Sequence, residues 1–487
     1  MITGGAATFP SLLVRARGLG LAAALLGFSS LSAFAAEAGH GLDGAALGVA
    51  WALPFVGILL SIALGPLLVP HFWHHHFGKV AVAWALAFLV PFAIVEGPTA
   101  VMTPLAEALL HDYIPFVVLL GALFTIAGGI LVTGNLHGSP RTNLALLGIG
   151  TLLASVIGTT GASMVLIRPL IRANDGRRHN VHVIVFFIFL VSNIGGSLTP
   201  IGDPPLFLGY LRGIDFFWTT THMLKEAVLA AFVLLALFYV IDHRLYHRDD
   251  DFKGRLDPTP DTDRLGLEGT INLILLLVVV GAVLMSGAWK PGIGFHVAGA
   301  EVELQNLVRD ALLVVAALAS LWLTPGGLRA RNGFEWEPIL EVTKLFAGIF
   351  VTIIPVLAML KAAHDGAFAP LIGLVTAADG KPIDAMYFWA TGLLSSFLDN
   401  APTYLVFFNL AGGEPAQLMT EMAGTLAAIS AGAVFMGAIT YIGNAPNFMV
   451  KSIAEASGIR MPSFFGYMAW SAGILLPLFL IMTLIFF

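Results

Sequence analysis

The sequence predicts an all-α polytopic membrane protein, an inverted-topology repeat with two re-entrant hairpins and two broken transmembrane helices. Three observations lead there. Of 487 residues, 57% are hydrophobic and 11% charged, where soluble domains carry about 25% charged residues. Apolar runs near the bilayer-spanning length of ~20 residues recur along the chain. A Gly- and Pro-containing segment also repeats: Thr199-Pro200-Ile201-Gly202-Asp203-Pro204-Pro205-Leu206-Phe207 returns 241 residues later as Thr440-Tyr441-Ile442-Gly443-Asn444-Ala445-Pro446-Asn447-Phe448, with Thr, Ile, Gly, Pro and Phe matched.

Taken in order, residues 1–36 have the layout of a secretory signal, with Arg15 and Arg17 before an apolar stretch that ends in small residues. Cleavage and retention as a first helix are both compatible with that layout. Spans are expected near 47–70, 79–97, 114–136, 181–211, 223–242, 269–288, 307–324, 339–362, 422–450 and 463–487. Two further apolar pieces, 143–168 and 386–410, are interrupted by Gly158-Thr159-Thr160-Gly161 and Asp399-Asn400-Ala401-Pro402. Arg141 precedes the first piece, and Arg168, Arg172, Arg177 and Arg178 follow it, so both ends favour the cytoplasm and a re-entrant hairpin satisfies the positive-inside rule. The same rule gives the second piece the opposite entrance.

The domains follow: a first repeat with extra N-terminal spans (47–242), a cytoplasmic linker (243–268), and a second repeat preceded by an extra span (269–487). The charged run Arg248-Asp249-Asp250-Asp251-Phe252-Lys253 reads as part of the solvated linker. Equivalent elements running in opposite directions form the architecture of secondary transporters, whose sites lie at the midplane between the halves.

Composition excludes other chemistry. No cysteine is present, so thiolate metal sites, disulfides and cysteine nucleophiles are ruled out. A net charge of −6 without a basic face gives no support for nucleic-acid binding. His-Glu-x-x-His and Gly-x-Ser-x-Gly motifs are absent, which argues against an intramembrane enzyme.

The candidate site lies at the four interruptions. Backbone freed from helix at 199–205 and 440–446 must line protein or a cavity, since lipid offers it no partners. Asp203 and Asp399 lead the candidates: a carboxylate at membrane depth costs about 2.5–3.5 kcal/mol on insertion scales and calls for an ion, a proton or water. Helix capping is the alternative for each. Around them stand Asn193, Thr199, Thr440, Asn444, Thr160, Ser163, Asn400 and Thr403, neutral groups of the kind hard alkali cations accept. The hairpin centres align at an offset of 240, with Thr159 and Thr160 facing Asp399 and Asn400. Glu341 and Lys344 form an i, i+3 pair that is either interfacial or a proton relay or charge-compensating pair. His71, His74, His75 and His76 are placed in a short cytoplasmic turn.

With these motifs in view, the chain resembles the ion-transporter superfamily, and within it NhaD-type sodium/proton antiporters and citrate-transporter-like (CitMHS-like) proteins. The resemblance is carried by Ser192-Asn193-Ile194-Gly195-Gly196, by 199–205, by Phe397-Leu398-Asp399-Asn400-Ala401-Pro402-Thr403, and by 441–447. It implies a scaffold domain, a moving transport domain, homodimerisation and residence in the inner membrane. Carboxylate-transporting relatives show Ser-Asn-Thr at both hairpin tips, and this chain departs from that pattern. Two carboxylates near the site would repel a di- or tricarboxylate by about 4 kcal/mol at 4 Å and intermediate dielectric. The expectation is therefore exchange of sodium or lithium for protons, with no resident cofactor. Sodium- or proton-coupled uptake of citrate or a dicarboxylate is the alternative.

Overall fold

A computed structural model describes residues 42–134, 136–248 and 265–487. The signal-like segment and most of the expected linker lie outside the described residues. Helix α1 (Leu53–Leu68) starts with Pro54 in its first turn, where the missing N–H leaves no bond unmade. A Val69 junction leads straight into α2 (Pro70–Val95), again opened by proline. The four histidines at 71–76 therefore belong to the first turns of α2, not to a turn as the sequence suggested.

The next span differs more from expectation. Helix α3 (Pro98–Glu107), a π turn (Ala108–Tyr113) and α4 (Ile114–Ala127) form one element, where 114–136 was anticipated. His111 and Asp112 interrupt its hydrophobicity and hide its first half. Asp112 is tolerated because Arg212 Nη2 stands 2.6 Å from its Oδ2. Beyond α4 the chain forms β1 (Leu131–Thr133), antiparallel to β2 (Gly266–Glu268).

Helix α5 (Pro140–Ile157) is capped by Ser139, whose Oγ accepts from the Thr142 amide at 3.2 Å. It stops at Gly158, whose φ of 82° is open to glycine and strained for other residues. Helix α6 (Thr159–Ala173) then folds back. Gly138 N donates to Ala173 O at 2.6 Å, and the Asn143 and Asn174 amides exchange bonds of 2.9 and 2.8 Å. The two ends of this pair thus lie side by side, although α5 alone is long enough to cross a bilayer.

Helix α7 (Val181–Leu190) is buried from His182 to Leu190, as befits a helix apolar on all sides inside a bundle. The break expected at 199–205 opens earlier, at Val191. The intervening backbone includes a 3₁₀ turn (Ile194–Gly196) before α8 (Pro204–Leu211) resumes. Helix α9 (Trp218–Arg248) then continues unbroken for 31 residues.

In the second half, α10 (Ile271–Ala288) and α11 (Leu304–Leu323) are joined through a hairpin of β3 (Gly294–Val297) and β4 (Ala300–Glu303). The expected span 339–362 is bent by 43° between α12 (Glu337–Thr352) and α13 (Ile354–Lys361), where Pro355 withholds a backbone donor. Helices α14 (Asp384–Phe397) and α15 (Asn400–Leu410) fold back on each other: Tyr387 OH donates to Leu410 O at 3.5 Å. Helix α16 (Ala423–Met436) continues as a 3₁₀ turn (Gly437–Ile439), breaks, and resumes as α17 (Ala445–Ala456), followed by α18 (Phe464–Phe486). Among the described residues, eight helices are long and apolar enough to cross a membrane, and the bent pair makes nine.

The halves interlock. Helix α8, which follows the first break, packs on α15 of the second helix pair, and α17, which follows the second break, packs on α6 of the first. One end of this assembly is held by a buried polar knot on Asp242 of α9. Arg177 Nη2 lies 2.6 Å and His182 Nε2 2.8 Å from its Oδ1, while Asn143 Nδ2 donates to Oδ2 at 3.0 Å. Removing one side of such a buried pair strands the other. Asp242→Ala is expected to destabilise the protein by about 3–5 kcal/mol, read as a lowered melting temperature in detergent.

Candidate functional site

The two breaks are shaped by close backbone approach. A Cβ on Gly202 would lie 2.2 Å from Gly196 O, and one on Gly443 would lie 2.6 Å from Gly437 O, so only glycine fits at either equivalent position. The helix pairs are tied to the breaks in the same register. Ser155 Oγ donates to Gly195 O at 2.5 Å and Ser396 Oγ to Met436 O at 3.0 Å. In return, the Thr199 and Thr440 hydroxyls donate to the carbonyls of Ser155 and Ser396. Each bond has its counterpart 241 residues away. This register pairs Gly158 with Asp399 and Thr159 with Asn400, one residue from the alignment that the sequence suggested.

Asp203 lies where these elements meet, with 1% of its surface exposed. It occupies the N-cap position of α8 but makes no capping bond. Its Oδ1 accepts from Thr159 Oγ1 at 2.8 Å and from Asn444 Nδ2 at 3.0 Å, and its Oδ2 accepts from Asn400 Nδ2 at 2.6 Å. Thr159 and Asn400 are repeat-equivalent, as are Asp203 and Asn444, so the first helix pair, the second helix pair and the second break all converge on one carboxylate. Among the described residues no Lys, Arg or His forms an ion pair with Asp203 or Asp399. The neutral donors satisfy the oxygens' hydrogen bonding and leave the charge uncompensated.

Asp399 behaves differently. Half-buried at the tip between α14 and α15, it caps α15, with Oδ1 accepting from Ala401 N at 3.1 Å. Thr403 Oγ1 bonds back to its carbonyl at 2.9 Å. Capping thus describes Asp399 and not Asp203. Asn400 supplies a further feature: its Oδ1 is buried without a hydrogen-bond partner while its Nδ2 holds Asp203. An unpartnered amide oxygen is a neutral hard-oxygen group of the kind alkali cations accept.

Behind Asp203 runs an amide relay. Asn444 Nδ2 also reaches Ser192 O at 3.1 Å and Asn193 Oδ1 at 3.3 Å. Asn193 Nδ2 donates to Asn447 Oδ1 at 2.7 Å, and Asn447 Nδ2 to the carbonyls of Gly437 and Thr440 at 2.8 and 2.9 Å. Ser163 meets Ser192 at 3.0 Å, hydroxyl to hydroxyl. Thr160 is half-buried on the first tip and makes none of these bonds. Thr199 and Thr440, read from sequence as inward oxygens, spend their hydroxyl protons on tying helix pairs to breaks. Ser155 and Ser396, which do the reciprocal tying, were missed; the 241-residue offset was the signal that could have found them.

Glu341 and Lys344 have their partners on α2. Trp73 Nε1 donates to Glu341 Oε1 at 3.3 Å, and Lys344 Nζ sits 5.2 Å from the centre of the Phe77 ring. Among the described residues no group of three or more His, Cys, Asp or Glu converges as a transition-metal site would. A cavity of about 290 Å³ between α1, α13 and the second helix pair is walled by apolar side chains, including Phe55, Leu59, Val356, Leu398 and Val406, and offers no polar chemistry.

Helices long enough to cross a bilayer, with two shorter ones broken around a buried, uncompensated carboxylate, define a multi-pass membrane transporter. The chain belongs to the CitMHS_2 family, described as "Putative citrate transport", which matches residues 44–487. An uncharacterized transporter of Mycobacterium tuberculosis is 27% identical over 335 residues, 66% of this chain and 71% of the relative. Its Mycobacterium bovis counterpart gives the same values, and a 46 kDa membrane protein of Mycobacterium leprae is 25% identical over 334 residues, with the same coverage of both chains.

Proposed function

We propose that this transporter exchanges sodium or lithium for protons across the inner membrane. Asp203, Asp399 and Asn400 Oδ1 hold the cation, and a proton displaces it. The carrying observation is a fully buried Asp203 whose partners among the described residues are all neutral. Such a carboxylate is stable in the membrane in two forms, protonated or bound to a cation, and these exclude each other. Competition for one group couples the flows without a further device.

On this reading the matched breaks and helix pairs form an inverted repeat, with each pair entering the bilayer from one side and leaving by the same side. The protein has no cysteine, so single cysteines report sidedness cleanly. One placed at Arg178 is expected to label from the cytoplasm and one at Gly412 from the opposite face; labelling of both from one side would rule the inverted repeat out. The protein is expected to work as a homodimer with sodium and protons as its only cargo.

Cation-coupled citrate or dicarboxylate uptake is the second reading, favoured by the family description. In that case the bound cation screens Asp203 and Asp399, and the anion rests against it. The two readings separate in everted vesicles that carry a pH-sensitive dye. Added sodium is expected to collapse the proton gradient, and Asp203→Asn to reduce that response at least tenfold. No collapse with wild-type protein, together with uptake of labelled citrate, would replace exchange by carboxylate transport.

A further inference from the structure

Glu226 is a buried carboxylate that the cluster at Asp203 does not use. It is 7% exposed, and its Oε2 has no hydrogen-bond partner. The residue lies eight positions into α9 (Trp218–Arg248), about 12 Å along the axis from that helix end. Its inward stripe, Thr219, Met223, Glu226 and Ala230, is buried. The same end of α9 touches the first break: the Thr219 and Thr220 hydroxyls donate to Leu198 O at 3.1 and 2.5 Å, and the helix packs on the turn Ile194–Gly196.

At this level the groups that act electrostatically on Glu226 are Lys225 and His222 of α9 itself, and among the described residues neither is ion-paired with it. Lys225 is the sequence neighbour but is exposed, and His222 Nδ1 lies 3.0 Å from the Trp218 carbonyl. Of the elements packed on α9, α16 and the turn at 194–196 carry no titratable residue, and α18 carries only Tyr467, whose OH donates to Ala438 O. Helix α5 carries only Arg141 and α7 only His182, both in first turns. His182 is bonded to Asp242, and Asn143, beside Arg141, bonds the same carboxylate; Asp242 is sixteen residues, about 24 Å, from Glu226 along α9.

We propose that Glu226 is a proton-binding site that carries the exchanged proton between one face of the membrane and the Asp203–Asp399 cluster. A buried carboxyl oxygen with no hydrogen-bond partner, and no second carboxylate or unpartnered amide oxygen shown beside it among the described residues, suits a group that gains and releases a proton. One proton binds a carboxylate oxygen of Glu226, then passes to the carboxylate that sodium leaves, so one negative charge is neutralised for each sodium released. The proposal rests on proton-coupled exchange and assigns its path.

The test uses the full chain in proteoliposomes and two fluxes: sodium movement driven by a pH gradient, and radiolabelled sodium counterflow with no pH gradient. Glu226→Gln is expected to lower the first at least tenfold and to leave the second within twofold, while Glu226→Asp retains both with a displaced pH profile. An unchanged gradient-driven flux in Glu226→Gln overturns the assignment, as does loss of both fluxes in a variant that melts at the wild-type temperature. Should Glu226→Gln not fold, an unaltered pH profile in Glu226→Asp overturns it. Wild-type protein lacking both fluxes overturns the exchange reading and this assignment with it, whereas active wild-type protein with an indifferent Glu226→Gln removes Glu226 alone.

Discussion

A carboxylate placed where water is scarce must have its oxygens satisfied by the protein, and the arrangement around Asp203 follows from that requirement. Three neutral donors reach it from Thr159, Asn400 and Asn444. To deliver them, the tips of two helix pairs and a second helix break must all reach the same carboxylate. Each tip and break exposes backbone that lipid cannot satisfy, so the reciprocal Ser155–Thr199 and Ser396–Thr440 ties close those groups on one another. The glycines at 202 and 443 let the backbones come close enough for the ties to form.

The near-symmetry of these ties contrasts with the asymmetry of the charges. Position 203 is aspartate and its counterpart 444 is asparagine; position 399 is aspartate and its counterpart 158 is glycine. The backbone framework is therefore repeated, while the charge-bearing groups are contributed once by each half. Asn444 turns its amide toward Asp203, so the equivalent residues meet each other. The absence of an ion-paired Lys, Arg or His at this centre among the described residues supports the cation-exchange reading.

Much of this was legible in the sequence because glycine and proline inside apolar runs are costly unless structure requires them. The repeated 199–207 and 440–448 segments and the interrupted pieces at 158–161 and 399–402 stand out for that reason, and Asp203 and Asp399 stand out as acids in apolar surroundings. What stayed hidden depends on partners distant in the chain. Asp112 looked like the edge of a loop because Arg212, which makes it tolerable in a span, is one hundred residues away. Thr199 and Thr440 looked like free oxygens because their acceptors are backbone carbonyls of other elements. Glu226 follows Lys225 near a helix end, and nothing in the sequence sets it apart; only its burial beside an exposed lysine does.

The central claim is that sodium and protons compete for one buried carboxylate centre. Calorimetric titration of purified protein with sodium, in two buffers of different ionisation enthalpy, tests it without any assumption about transport direction. The account predicts proton release of about one per sodium bound, and an affinity that weakens about tenfold for each pH unit on the acid side. Sodium binding with no buffer dependence at any pH, or binding of citrate alone, would contradict it.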